Sequence, residues 1–178
     1  MSQIPQLPAE RFDTVHRRAR LIWLLILVGA PLLITGAIVM AITSGNLETH
    51  EPLVPPSMAY PILIGGCIVL LLAARGITGF VMHPERLAKL NLAQPGSSQP
   101  RSPESEAAVH VQNGTFIVLG ILDLPIVAGL ALAIMDWDIQ FLLPVLVYGV
   151  LVSAFAMPDF TRIAVATAQA IHRRDGNG

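Results

Sequence analysis

The chain has one cysteine, Cys67, among 178 residues, so it can form no intramolecular disulfide and lacks the thiolates of most metal frameworks. It has no glycine-rich phosphate loop, and no histidine base lies at the level of Ser153 or Cys67 within the apolar runs. The five histidines fall outside the centres of those runs and show no paired metal-ligand spacing. We therefore expect no cofactor and no metal, and these absences argue against an enzyme without excluding one.

Charge is also scarce, because aspartate, glutamate, lysine and arginine together make up 13% of the residues. A nucleic-acid-binding protein needs a basic surface supported by aromatic residues or a known motif, and the sequence offers neither. Hydrophobic residues make up 53% of the chain, and its mean hydropathy is +0.64. That composition excludes a soluble domain with one buried core.

Four apolar runs account for this composition, and they cover about 21–43, 60–82, 115–135 and 139–160. A helix of about 20 apolar residues crosses the roughly 30 Å of hydrocarbon in a bilayer. The pattern predicts an all-α membrane protein, a bundle of four transmembrane helices over 21–160. The segments 1–20 and 161–178 are then cytoplasmic, and the second of them is amphipathic.

Ten of the eleven lysines and arginines flank the four runs on one side, and the eleventh, Arg75, lies late in the second run, towards that same side. The two remaining connections, 44–59 and 136–138, contain acids but no cation. Because cationic loops stay in the cytoplasm, this asymmetry predicts that both termini are inside and that two short acidic turns are outside. The expected location is a bacterial inner membrane, with the lipid bilayer as the first partner.

The inner connection between the second and third runs contains two kinds of sequence. Residues 84–92 can form one or two amphipathic turns, whereas 93–108 are polar and proline-rich, which is typical of a flexible cytoplasmic linker. We expect the third helix to start near Thr115 with Asn113 as its cap. In the first helix, Pro31 predicts a kink.

Asp123, near the middle of the third run, and Arg75, late in the second, are the candidate charged groups at membrane depth. A charged group at a helix centre costs about 2.5 to 3.5 kcal/mol on insertion scales, so it should face protein or water. Counted from the inner ends of their helices, the two residues lie at similar depth, which makes a buried ion pair one interpretation. In the other, Arg75 extends towards the interface and Asp123 stays unpaired as a proton or cation site.

Small residues spaced four apart predict close helix packing. Pairs of this kind let helix backbones approach in lipid, and three of them are our candidates for such packing. They are Ala37 with Ala41, Gly129 with Ala133, and Gly149 with Ser153.

Two functional hypotheses follow. The first is a non-catalytic accessory, assembly or structural subunit of a larger membrane complex, associated with other membrane subunits or with itself. The alternative is a small oligomeric transporter or proton- or cation-conducting component that uses Asp123.

Overall fold

The computed structural model describes residues 13–44, 55–89, 102–136 and 138–175, and these are helical with no strand. The all-α prediction is thus confirmed over this part of the chain. The described helices are α1 (Asp13–Leu24), a π-helical turn (Leu25–Gly29), α2 (Ala30–Thr43), α3 (Pro56–Val81), α4 (Pro84–Lys89), α5 (Pro103–Leu122), α6 (Leu124–Asp136), a 3₁₀ turn (Ile139–Phe141), α7 (Leu142–Ala156) and α8 (Phe160–Asp175).

The described chain divides into two compact units. One comprises the described residues within 1–21, 78–118 and 158–178, and we call it the basic unit because ten of the eleven lysines and arginines fall in these ranges. The other comprises those within 22–77 and 119–157 and is called the apolar unit. Its only lysine or arginine is Arg75.

The basic unit has a small core of its own, built mainly where α4 packs on α8. One face of α8 is buried, and Leu87 and Ala88 of α4 are buried as well. The buried residues of α8 are Phe160, Ala164, Thr167, Ala168 and Ile171. Their spacing of three or four residues is that of one helix face, and the arginines of α8 lie exposed outside it.

The apolar unit exposes the kind of side chain that a soluble domain hides. All but four of the exposed large hydrophobic side chains of the described residues belong to it, the exceptions being Leu21, Phe80, Phe116 and Ile117. Leu72 is 80% exposed and Leu33 is 75% exposed. Helices that are apolar on all sides are found in the core of a large protein or in a membrane.

Three helical segments are long and apolar enough to cross a membrane: Asp13–Thr43, Ser57–Val81 and Ile139–Ala156. The pair α5 and α6 makes a fourth only if it is counted as one span, because the two helices are bent by 46° at the break between them. The sequence predicted one helix over 115–135.

The start of α5 corrects a second expectation, since the helix begins at Pro103 and not near Thr115. Ser102 caps it: its Oγ accepts a hydrogen bond from the Ser105 amide at 3.3 Å, and its carbonyl accepts one from Glu106. Serine before a helix, with proline at the first position and acids in the first turn, is a helix-start signal. Of the expected linker 93–108, residues 103–108 are therefore helical, and 93–101 lie outside the described residues.

Pro31 produces a π-helical turn in a continuous helix rather than a break. It has no N–H to donate to the Leu27 carbonyl four residues earlier, and just before it the Ala30 amide bonds to the Leu25 carbonyl, five residues back. A Cβ atom at Gly149 of α7 would overlap the Leu27 carbonyl oxygen. The absence of a side chain at Gly149 therefore lets α7 approach the backbone beside the proline.

Candidate functional site

Asp123 lies at the break between α5 and α6, where it is half-buried. The cause of the break is two residues further on, because Pro125 cannot donate to a carbonyl of the preceding turn. The backbone stays hydrogen-bonded on either side, from the Asp123 amide to the Leu119 carbonyl and from the Val127 amide to the Asp123 carbonyl. The chain thus places a carboxylate at a bend in an apolar helix pair.

Tyr148 of α7 supports this bend, and sequence analysis missed it. Its side chain is 2% exposed, and its hydroxyl donates a 2.9 Å hydrogen bond to the Leu122 carbonyl, immediately before Asp123. Pro125 removes a hydrogen bond from the helical pattern here. The Tyr148 hydroxyl therefore stabilises the backbone next to the break. The sequence did contain a signal for this contact, because Tyr148 is the one tyrosine in the fourth apolar run. Counted from the 136–138 turn, it lies at the level of Ile126 in the preceding run, close to Asp123.

Arg75 does not form an ion pair with Asp123 in the described part of the chain. Its side chain is exposed, and its Nε donates a 3.0 Å hydrogen bond to the Phe155 carbonyl, in the last turn of α7. This is the direction expected if the arginine extends towards the helix ends. Pairing of Arg75 with Asp123 stays a hypothesis that the double-mutant cycle described below tests.

The residues predicted to pack closely fall into two groups. Gly129, Ala133, Gly149 and Ser153 are buried, and a Cβ at Gly129 would overlap a methyl group of Val145 and press on Leu63. Ala37 is exposed and Ala41 half-buried. The first group holds α6 and α7 within the apolar unit, whereas the pair in α2 is not enclosed by the described residues.

At the other end of α3, Tyr60 fixes the turn between α6 and α7. Its ring stacks on Phe141 with centroids 4.3 Å apart, and its hydroxyl donates to Asp138 Oδ2 at 2.8 Å. The other oxygen of Asp138 accepts from the Gln140 amide at 2.9 Å and so caps the 3₁₀ turn. One carboxylate of the predicted acidic turn is therefore occupied in structural hydrogen bonds.

The basic unit contains a polar cluster that the sequence did not suggest. His110 is 4% exposed, and its Nε2 lies 3.4 Å from Glu106 Oε1, so this histidine is buried against an acidic side chain. Arg174 Nη2 lies 3.7 Å from the same oxygen, and its Nη1 donates to the Ala88 carbonyl at 3.0 Å. This cluster ties the end of α8 to α4 and α5.

Within the described residues, no group of three or more histidine, cysteine, aspartate or glutamate side chains could hold a metal ion. The arrangement offers instead a half-buried carboxylate at a helix break, a buried hydroxyl beside it and an exposed arginine. Comparisons with protein-family models, curated proteins and solved structures find no match to this chain.

Proposed function

We propose that this protein is a non-catalytic integral membrane subunit that joins a larger complex through α3, with both termini on the cytoplasmic side of a bacterial inner membrane. The location and orientation rest on the charge asymmetry of the connections. The apolar surface of the apolar unit supports membrane insertion. The association through α3 has its own support.

The observation that carries the proposal is the incomplete packing of α3 within the apolar unit. Its buried side chains form a single narrow stripe: Ala59, Leu63, Cys67 and Ala74. On one side, an apolar groove of about 420 Å³ separates α3 from α6, and on the other a groove of about 170 Å³ separates it from α7. Membrane helices associate through van der Waals packing, so unfilled grooves beside small residues suit a helix of another subunit.

Neighbouring glycines allow a matched test. Gly66 lines the larger groove, Gly65 does not, and a Cβ at either position would meet no atom within 4 Å. Gly66→Leu should fill the groove without disturbing the fold, and Gly65→Leu serves as the control. Affinity purification in mild detergent should recover a membrane partner with wild type and Gly65→Leu, and markedly less with Gly66→Leu. Equal recovery with both variants, at equal thermal stability, would reject this role for α3.

Orientation has a separate test. In a Cys67→Ser background, single cysteines at position 50 or 137 should react with a membrane-impermeant thiol reagent in intact cells. Cysteines at position 98 or 176 should react only after permeabilisation. Labelling of position 98 in intact cells would contradict the orientation.

A second candidate function is favoured by the break at Asp123. A half-buried, unpaired carboxylate lies at a bend of an apolar helix pair and could take up a proton or cation there. Acidic residues inside a membrane are costly and therefore rare, and those that occur usually pair with another group or carry protons or ions. Asp123→Asn should then fold normally and abolish proton flux in liposomes, since asparagine resembles the protonated acid. Unchanged flux in the variant, or no flux in the wild type, would remove this candidate.

A further inference from the structure

Arg75 is the one cation of the apolar unit and lies on its surface. The neighbours in sequence are apolar or small: Leu72 is 80% exposed, and a Cβ at Gly76 would meet no atom within 4 Å. Phe155, which supplies the carbonyl that Arg75 binds, is 57% exposed. The guanidinium therefore sits at an open apolar surface rather than inside a bundle.

The contact with Phe155 sets the height of the guanidinium. Arg75 lies six residues before the end of α3 at Val81, about 9 Å along the helix at 1.5 Å per residue. Phe155 is the residue before the last in α7, where carbonyls lack helical partners and favour a cation. The Arg75 side chain is thus held towards the ends of α3 and α7. Lipid phosphates lie at that level of a bilayer, in an interfacial layer that extends about 5 to 7 Å beyond the hydrocarbon on each side.

The contact also leaves most of the guanidinium unused. A guanidinium has five N–H donors, and the Phe155 carbonyl takes the one on Nε. No acidic side chain of the described residues lies within the 4.0 Å limit of an ion pair with Arg75. The paired Nη donors form a planar fork that matches phosphate oxygens bidentately.

We propose that Arg75 binds the phosphate of a membrane phospholipid, with Phe155 as the residue that orients it and Gly76 leaving room for the lipid. The proposal rests on the membrane insertion of the proposed function but not on the complex. It explains how a charge exposed on an apolar helix is stabilised, because a phosphate at the interface neutralises it without a carboxylate from the protein.

The test compares lipids that carry a headgroup phosphate with a lipid that has none. Wild type, Arg75→Gln and Arg75→Lys would be purified in mild detergent, delipidated, and titrated with phosphatidylglycerol, phosphatidylcholine or diacylglycerol of identical acyl chains, with bound lipid counted by native mass spectrometry. Both phospholipids should bind the wild type, and Arg75→Gln should bind them about tenfold more weakly, the loss expected for a charge-assisted hydrogen bond. Arg75→Lys should fall between, because it keeps the charge and loses the fork.

Arg162→Gln is the matched control, since Arg162 is an exposed arginine of the basic unit. It should retain the bound phospholipid. If Arg75→Gln does not fold, the comparison of wild type with Arg75→Lys, and of phospholipid with diacylglycerol on the wild type, decides the question.

Three results of the binding measurements would overturn the proposal. They are equal binding of phospholipid by wild type and Arg75→Gln, equal binding of diacylglycerol and phospholipid by the wild type, and displacement of the lipid by millimolar inorganic phosphate, which would indicate a site for soluble anions. The competing ion pair is tested by a double-mutant cycle of Arg75→Gln and Asp123→Asn, measured as thermal stability in detergent with diacylglycerol in place of phospholipid. Strong coupling between the two changes would assign the Asp123 carboxylate as the partner of Arg75 and would also overturn the proposal. Loss of partner recovery with Gly66→Leu is measured separately, so the complex and the lipid site can fail independently.

Discussion

The basic unit and the apolar unit are both helical but pack in opposite ways. The basic unit buries one face of α8 and exposes its arginines, as a domain in water does. The apolar unit exposes leucines and isoleucines and packs its interior by bringing backbones together at Gly129 and Gly149. With the apolar unit in a bilayer, as we propose, water drives burial in one unit and contact between small residues drives it in the other, so substitutions of the same kind should have different consequences in the two units.

The largest effect is expected for Gly149→Ala in the apolar unit. The new Cβ would overlap the Leu27 carbonyl, a backbone atom that cannot turn away, so the variant should lose about 3 kcal/mol of unfolding free energy, near the upper end for overpacking. Reversible unfolding in mixed micelles measures this loss. Gly120→Ala, where a Cβ meets no atom within 4 Å, should instead be neutral or gain about 0.5 to 1 kcal/mol from helix propensity.

Tyr148→Phe should have a smaller effect and is specific to the helix break. The change removes the hydroxyl that donates to the Leu122 carbonyl, and the loss should be about 1 kcal/mol, reduced from the value in soluble proteins because unfolded membrane helices also find partners. Hydrogen exchange should increase at residues 121–127 and stay unchanged in α8. Equal protection across 121–127 in both proteins would contradict a supporting role for this hydroxyl.

Gly114→Ala is the counterpart of Gly149→Ala in the basic unit and sharpens the comparison. The added Cβ would meet Leu87 Cδ2 and Met82 Sδ, both at 2.9 Å, and these ends of flexible side chains can rotate. Part of the cost is offset by the helix propensity of alanine, so the net loss should be about 0.5 kcal/mol. A loss as large as that of Gly149→Ala would show that the two units do not differ in how tightly they are packed.

The smallest effect is expected for Arg174→Gln. Arg174 is 48% exposed and its partner Glu106 is 31% exposed, so their interaction should contribute at most about 0.5 kcal/mol. High salt should remove most of this difference, because ions screen exposed charges. A salt-independent loss would instead indicate that the hydrogen bond to the Ala88 carbonyl is the main contribution.

Parts of the fold were accessible from local patterns. The Ser102-Pro103-Glu104 start of α5 is readable once proline is taken as a first helical residue, although its polar, proline-rich surroundings led us to predict a linker there. The form of the break at Asp123 could not be predicted, because a proline in an apolar run is compatible with a straight helix, a π-helical turn or a bend. Pro31 and Pro125 illustrate the point, since one yields a π-helical turn and the other a bend of 46°.

Hydropathy and charge are properties of consecutive residues, so the sequence by itself determined that the chain is helical, has segments apolar enough to cross a membrane and segregates its cations. Partner choice depends on which helix surfaces meet, and only the tertiary structure decided it. Depth along the sequence could not show that Arg75 Nε donates to the Phe155 carbonyl or that Tyr148 lies beside the Asp123 break, and the pairing of Arg75 with Asp123 stays a hypothesis. Which partner a side chain reaches depends on how each helix is rotated about its axis. Packing against neighbouring helices, such as that of Gly149 on Leu27, sets this rotation.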